Sequence, residues 1–267
     1  MSLRLTPTFR QRLAEAERPL AGLWACTASP VVTEILAGSG MDWMLIDMEH
    51  SPNGLSSTLA QLQVAAAYPV TPVVRVPIGD VVTIKQVLDL GAQNLLVPMV
   101  STPDDARAAA SAVRYPPRGT RGVGAALARS ARWNRVDGYL RDADAHTSLF
   151  VQIETVEGVA RAAEIAAVDG VDGVFVGPSD LAASMGLLGE QTHPDVLAAV
   201  SETMRAVQAS GKPVGVNAFD PVIARGYADA GADFLLVGAD VAILARESER
   251  LAAEWTRAPR GHGLDAS

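Results

Sequence analysis

Short apolar runs alternate with longer segments of helical spacing along nearly the whole chain, and Gly, Pro or Asn/Asp turns separate them. Thr6-Pro7 pairs an N-cap with proline at the first helical position, so residues 7 to 17 read as a leading helix ended before Pro19. It is placed to plug one end of the core. Strand 1 is expected at Leu20 to Thr27, a helix over Pro30 to Ala37, and strand 2 at Asp42 to Met48 behind Gly38-Ser-Gly40. A helix over Leu55 to Ala67, strand 3 at Pro72 to Val76, a helix from Asp80 to Leu90, strand 4 at Asn94 to Val100 and a helix from Thr102 to Arg114 continue the pattern. Apolar runs of this kind suit strands buried on both faces of a parallel sheet.

The alternation pauses at Tyr115-Pro-Pro-Arg-Gly-Thr-Arg-Gly-Val-Gly124 and the Arg/Ala/Trp-rich stretch to Arg135, a segment too long for a connector. Such a segment on a barrel serves as a lid or a subunit contact. A strand at Leu149 to Glu154 follows, then a helix opened by Thr155-Val-Glu-Gly and stopped by Gly170, then a strand at Val171 to Gly177 leading into Pro178-Ser-Asp180. A helix from Pro194 to Ser210, strand 7 at Pro213 to Val216, a helix over Pro221 to Ala230, strand 8 at Phe234 to Gly238 and a closing helix from Val241 to Trp255 complete the chain. The last dozen residues read as a frayed tail. Eight strand-helix pairs joined by short turns describe a (β/α)8 TIM barrel, with residues 1 to 267 as one domain. The competing architecture is an open sheet, but Cys26-Thr-Ala-Ser-Pro30 stands after strand 1 where a dinucleotide fold carries Gly-x-Gly-x-x-Gly.

Composition narrows the partners. A net charge of −8 and a pI near 5.0 argue against non-specific nucleic-acid binding and against an anionic membrane surface. Any anionic ligand must then meet a locally placed arginine. Cys26 is the single cysteine, which excludes an intrachain disulfide and suits a reducing cytoplasm. No apolar run approaches the roughly 20 residues that span a bilayer, so the expected location is cytoplasmic.

In a barrel of this class, functional groups come from the C-terminal ends of the strands. Those ends supply Trp24, Asp47, Glu49, His50, Arg75, Gln152, Glu154, Ser179, Asp180, Asn217 and Asp240. Glu154 and Asp180 close consecutive strands, and neighbouring parallel strands lie about 4.8 Å apart, close enough for both carboxylates to share one divalent cation. An aspartate after a strand is also a common N-cap, and the matching position of the second carboxylate favours the metal reading. His50 is a proton carrier suited to neutral pH. Arg75 interrupts an otherwise apolar strand, and a buried guanidinium needs a carboxylate or an anionic ligand. Trp24 reads equally as core or as site.

Gly22-Leu-Trp24, Asp47-Met-Glu-His-Ser51, Val74-Arg-Val-Pro77, Leu88-Asp-Leu-Gly91, Pro98-Met99, Tyr115-Pro-Pro-Arg-Gly119, Gln152-Ile-Glu154 and Gly177-Pro-Ser-Asp-Leu181 resemble the HpcH/HpaI aldolases, metal-dependent class II pyruvate aldolases with a barrel of the phosphoenolpyruvate/pyruvate type. The resemblance covers about residues 20 to 255. It implies Glu154 and Asp180 as metal ligands, Arg75 as the group that stabilises the enolate, and His50 with Asp89 as the dyad that moves protons through a water. Trp24, Gln152 and the backbone at Ser179 are similar to the pocket that holds pyruvate, with Asp47 and Glu49 supporting it from behind. Related members carry alanine where Met48 stands. A trimer or hexamer is implied, as are small 2-oxo acid and aldehyde substrates.

The residues fit this chemistry independently. Two oxygen ligands without Cys or His suit Mg²⁺, Mn²⁺ or Co²⁺, with no organic cofactor. An imine mechanism needs a lysine at a strand's inner end, and only two of the 22 basic residues are lysines. Lys85 falls on a helix and Lys212 at the start of strand 7, the opposite end of the barrel. Aldolases for 2-keto-3-deoxy sugar acids, CoA-ester or citrate-type lyases and a non-catalytic binding barrel are the alternatives. A CoA lyase calls for a Lys/Arg cluster beside the strand ends, and a non-catalytic barrel for loss of His50, Arg75, Glu154 or Asp180.

Overall fold

Eight parallel strands close on themselves in sequence order in the computed structural model, which describes residues 3–256. They are β1 Leu20–Ala25, β2 Trp43–Asp47, β3 Thr71–Arg75, β4 Asn94–Val97, β5 Ser148–Ile153, β6 Gly173–Val176, β7 Val214–Asn217 and β8 Phe234–Ala239. Around them run α1 Phe9–Glu15, α2 Pro30–Ala37, α3 Leu55–Ala65, α4 Val81–Asp89, α5 Pro103–Val113, α6 Val156–Ala160, α7 Ala162–Ala166, α8 Pro178–Ser184, α9 Pro194–Ala209, α10 Pro221–Asp229 and α11 Asp240–Thr256. The expected TIM barrel is the observed fold. The expected frayed tail lies almost wholly outside the described residues.

Strand side chains alternate between two apolar layers, because successive residues point to opposite faces. Met44 and Ile46 of β2, Val74 of β3 and Val151 and Ile153 of β5 join the layer between barrel and helices. Trp43 and Leu45, Val73, Phe150, Phe175 of β6 and Phe234 of β8 fill the barrel itself. Phe9 of α1 is 1% exposed and lies 5.0 to 5.3 Å from the rings of Trp43, Phe150 and Phe234. The leading helix therefore seals the end where the strands begin. Burying one such ring contributes about 2 to 3 kcal/mol, and Asn94 fixes the angle by accepting the Phe9 N–H at 2.7 Å and the Ser148 hydroxyl at 2.7 Å.

Several expected boundaries shift for local reasons. Thr8, rather than Thr6, caps α1: its side chain accepts from Gln11 N while Gln11 Oε1 accepts from Thr8 N at 2.7 Å. Strand 4 stops at Val97, since Pro98 has no N–H to donate and Met99 turns to φ +58°. The helix after β5 breaks at Arg161, and Pro178-Ser-Asp180, expected as a loop, opens α8 with Pro178 at its first position. The 115–147 segment holds only two short 3₁₀ turns. Its arginines, expected at a subunit contact, serve in part to tie it to its own barrel. Arg129 donates to the Leu90 and Leu62 carbonyls at 3.0 and 3.3 Å, and Arg121 is fully buried beneath Tyr115.

Candidate active site

The inward-facing layer turns polar at the C-terminal ends of the strands. Counting by twos from Leu45, Val73 and Phe150 places Asp47, Arg75, Gln152 and Glu154 on the inner face. Asp47 and Arg75 are partners in the β2–β3 register. Met48, next along, is 9% exposed and packs into the outer layer, so it faces away from the site.

Arg75 is 4% exposed and its charge is fully engaged. Its Nε donates to Asp47 Oδ1 at 2.8 Å, its Nη1 lies 2.8 Å from Glu49 Oε2, and its Cζ sits 4.3 Å above the Trp24 ring. The contact to Glu49 is ionic: its angle falls short of a hydrogen bond and Oε2 has no hydrogen-bond partner. Burial pushes the Glu49 carboxyl above its ordinary pKa against the pull of Arg75. Asp47, 1% exposed, also accepts the N–H groups of Glu49 and His50, at 3.0 and 3.3 Å. One carboxylate thus orients both the arginine and the turn that carries the histidine. Asn53 closes that turn from below by donating to the Asp47 carbonyl at 2.7 Å.

His50 reaches solvent, with two-thirds of its side chain exposed and Nε2 4.0 Å from Glu49 Oε2. Trp24 donates from Nε1 to Asn217 Oδ1 at 2.9 Å, which links β1 to β7 across the mouth. Asp240 is buried and accepts from the backbone of Cys26 and Thr27, a loop anchor rather than a reactive group.

Glu154 is 2% exposed. Its Oε1 accepts the Met99 N–H at 2.7 Å and its Oε2 accepts from Gln152 Nε2. Burial raises its pKa to about 7, with Asp180 and Glu49 adding repulsion and the two hydrogen bonds opposing it. Gln152 Oε1 is buried with no hydrogen-bond partner. A buried carboxylate, two acidic neighbours and an orphan carbonyl oxygen make a donor set short of positive charge, which fits a hard divalent cation. Gly177 fits this packing closely: a Cβ there would lie 3.0 Å from Gln152 Nε2 and Glu154 Oε2, so both side chains would have to give way. Ser179 and Asp180 lie in the first turn of α8, exposed at the rim of the same mouth. The described residues contain no cluster of three or more His, Cys, Asp or Glu side chains set to hold a metal, so protein carboxylates would supply only part of a coordination shell.

The profile of the HpcH/HpaI aldolase/citrate lyase family matches residues 20–246. The chain belongs to that family. It is 53% identical over 251 residues to the hydroxypyruvate/pyruvate aldolase of Deinococcus radiodurans, covering 94% of this chain and 90% of that one. It is 49% identical over 241 residues to the 4-hydroxy-2-oxo-heptane-1,7-dioate aldolase of Salmonella dublin, covering 90% and 92%. The crystal structure of an HpcH/HpaI aldolase/citrate lyase family protein from Burkholderia cenocepacia superposes with a TM-score of 0.89 at 42% identity, covering 95% of this chain and all of that one.

In this HpcH/HpaI chain the expected group gathers at one mouth, with one exception. Asp89 is the last residue of α4, which runs back from the C-terminal ends of the strands, so it lies toward the opposite end from His50. Within the chain the two are not paired. Asp89 lies 3.7 Å from the buried Arg121 instead, and burial raises its pKa against that arginine. Met99, Asn53 and Gly177 are the site residues that sequence reasoning did not assign. Only Gly177 had a signal, as a glycine on the inward parity directly after a strand.

Proposed function

We propose that the chain is a class II aldolase that reversibly cleaves 4-hydroxy-2-oxo acids to pyruvate, or a related 2-oxo acid, and an aldehyde. The observation that carries this reading is the buried Glu154, facing Asp180 and Glu49 with Arg75 across the same mouth. Glu154 and Asp180 would hold a divalent ion, Mg²⁺, Mn²⁺ or Co²⁺. When bound, it would supply Lewis acidity at the keto oxygen.

The chain's own residues supply the rest. Arg75, locked by Asp47 and Glu49, presents a fixed positive charge where negative charge develops on the 2-oxo group, at no cost in reorganisation. Trp24 and Gln152 wall the space beside it. His50, exposed at the entrance, takes the proton of the C4 hydroxyl during cleavage and returns it during addition. Asp89 assists His50 only if another copy of the chain brings it there. Lys212 Nζ donates to the Val171 carbonyl at 2.8 Å at the far end of the barrel, which leaves it unsuited to imine formation.

We read the protein as cytoplasmic and as a trimer or hexamer. No helix among the described residues is long and apolar enough to cross a membrane. Val123, Leu127 and Trp133 on the long segment are exposed, as are Val241, Leu244 and Trp255 on α11, two sets of apolar side chains of the kind assembly covers. Chelation should abolish turnover and readdition of Mg²⁺, Mn²⁺ or Co²⁺ should restore it. Full activity without metal, or covalent trapping of substrate by borohydride, would refute the mechanism.

A further inference from the structure

Beside Asp180 lies a cavity of about 250 Å³, between the loops that follow β6 and β7. It shares a wall with the mouth. Ser179, adjacent to Asp180, and Asn217, which holds Trp24, line both. Asn217 uses Oδ1 for the indole, and its amide N–H groups have no partner among the described residues.

The cavity has an apolar wall of Pro178, Phe219 and Ile223 and, facing it, hydrogen-bonding groups of little charge. Tyr227 on α10 is 5% exposed, yet its hydroxyl makes no hydrogen bond to any described residue. The hydroxyl oxygen is not among the buried polar atoms left unpaired, so it opens onto the cavity, where it is free to donate to a ligand. Burial raises its pKa to about 12, so it stays a neutral donor at working pH. Thr192 and Gln191 add a hydroxyl and an amide from the α8–α9 connection. Asp220 gives the rim its one charge. Its Oδ1 caps α10 by accepting from Val222 N and Ile223 N at 2.8 and 3.0 Å, while Oδ2 is free among the described residues.

Resting on the aldolase reading, we propose that this cavity is the acceptor subsite and that it takes the tail of a short, uncharged, hydroxyl-bearing aldehyde. Cleavage breaks the C3–C4 bond: the C4 hydroxyl proton goes to the base, the bonding electrons go to C3, which is later protonated, and C4 leaves as the aldehyde carbon. The substituent on C4 must lie beside the metal carboxylates, and the wall formed by Ser179 and Asn217 leads from there to the Tyr227 hydroxyl. A volume of 250 Å³ is below the range of about 300 to 1,000 Å³ that holds drug-sized ligands, so it suits a tail of a few carbons. The Asp220 carboxylate at the entrance opposes an aldehyde that carries its own carboxylate.

The test is aldol addition of pyruvate to glyceraldehyde, acetaldehyde and succinic semialdehyde by the metal-loaded enzyme and by Tyr227→Phe, Thr192→Val and Asp220→Asn. Losing one neutral hydrogen bond should raise the KM for glyceraldehyde about 3- to 10-fold in Tyr227→Phe and in Thr192→Val. The KM for pyruvate and the kinetics on acetaldehyde, whose methyl group makes no hydrogen bond, should stay unchanged. Asp220→Asn still caps α10 and should gain several-fold on succinic semialdehyde. Equal losses on acetaldehyde and glyceraldehyde overturn the assignment, as does an effect that follows replacement of pyruvate by hydroxypyruvate. Wild-type enzyme that adds pyruvate to none of the three aldehydes would overturn the aldolase reading itself.

Discussion

Asp47→Asn removes one negative charge and changes almost no volume, so it isolates what that carboxylate does. Asp47 is 1% exposed and accepts three hydrogen bonds, from Arg75 Nε, Glu49 N and His50 N. An asparagine has one oxygen to offer, and its amide nitrogen would face a second donor. The Arg75 side chain, 5% exposed, would keep only Glu49. Breaking a buried pair by neutralising one partner costs about 3 to 5 kcal/mol, and the surviving contact to Glu49 argues for the lower end. At about 2 to 4 °C per kcal/mol in a chain of this size, the melting midpoint should fall roughly 6 to 12 °C. Turnover should suffer separately: a guanidinium displaced by about 1 Å costs on the order of 10²-fold. Circular dichroism melts and initial rates, both with metal saturating, measure the two effects. A melt within about 2 °C of wild type would refute the account of Arg75 as a charge held by Asp47, since the smallest loss worked above is three times larger.

Other predictions separate the remaining groups. His50→Ala should lower aldol cleavage by roughly 10²- to 10⁴-fold and oxaloacetate decarboxylation much less, because decarboxylation removes no hydroxyl proton; Arg75→Ala should damage both, and equal losses in His50→Ala would contradict the division. Glu154 starts from 4.5 and is raised to about 7 in the metal-free fold, so the folded state holds its proton longer than the unfolded chain. Metal-stripped protein should therefore lose stability as pH rises from about 4.5 to about 7, by about 3 kcal/mol in all, and level off above. Loading with Mg²⁺ should flatten that slope, and identical pH profiles with and without metal would count against Glu154 as a ligand. Gly177→Ala should impair metal affinity and turnover more than the melt, since its Cβ meets Gln152 and Glu154 at 3.0 Å; metal titration by calorimetry reads this directly.

The strands were legible because they are apolar on both faces, and punctuation by Gly and Pro marked where they end. The polar residues at the C-terminal ends followed from topology, and counting by twos from Phe150 and Val73 separates Glu154 and Arg75, which point inward, from Met48, which does not. Less was visible where structure depends on backbone alone. The break at Arg161 carries no distinct pattern of side chains, and Pro178, a helix-opening proline, reads as loop once Asp180 is taken as the end of a strand's connection. Asp89 was assigned to His50 by resemblance, although α4 carries it toward the other end of the barrel, beside Arg121. The arginines of the 115–135 stretch read as a subunit contact, and sequence alone did not show that Arg129, Arg132 and Arg135 also bind carbonyls of their own chain.

Met99 carries a different kind of information. Its side chain is 58% exposed and its φ of +58° is a conformation that few non-glycine residues adopt, yet its N–H is what Glu154 binds. The useful atom belongs to the main chain. An alanine scan would pass over position 99 without effect, and a survey of side-chain types would rate the position as variable surface. A change that deletes the amide hydrogen, an ester linkage in place of the peptide bond for example, would reveal that the carboxylate is aimed by the main chain of this turn.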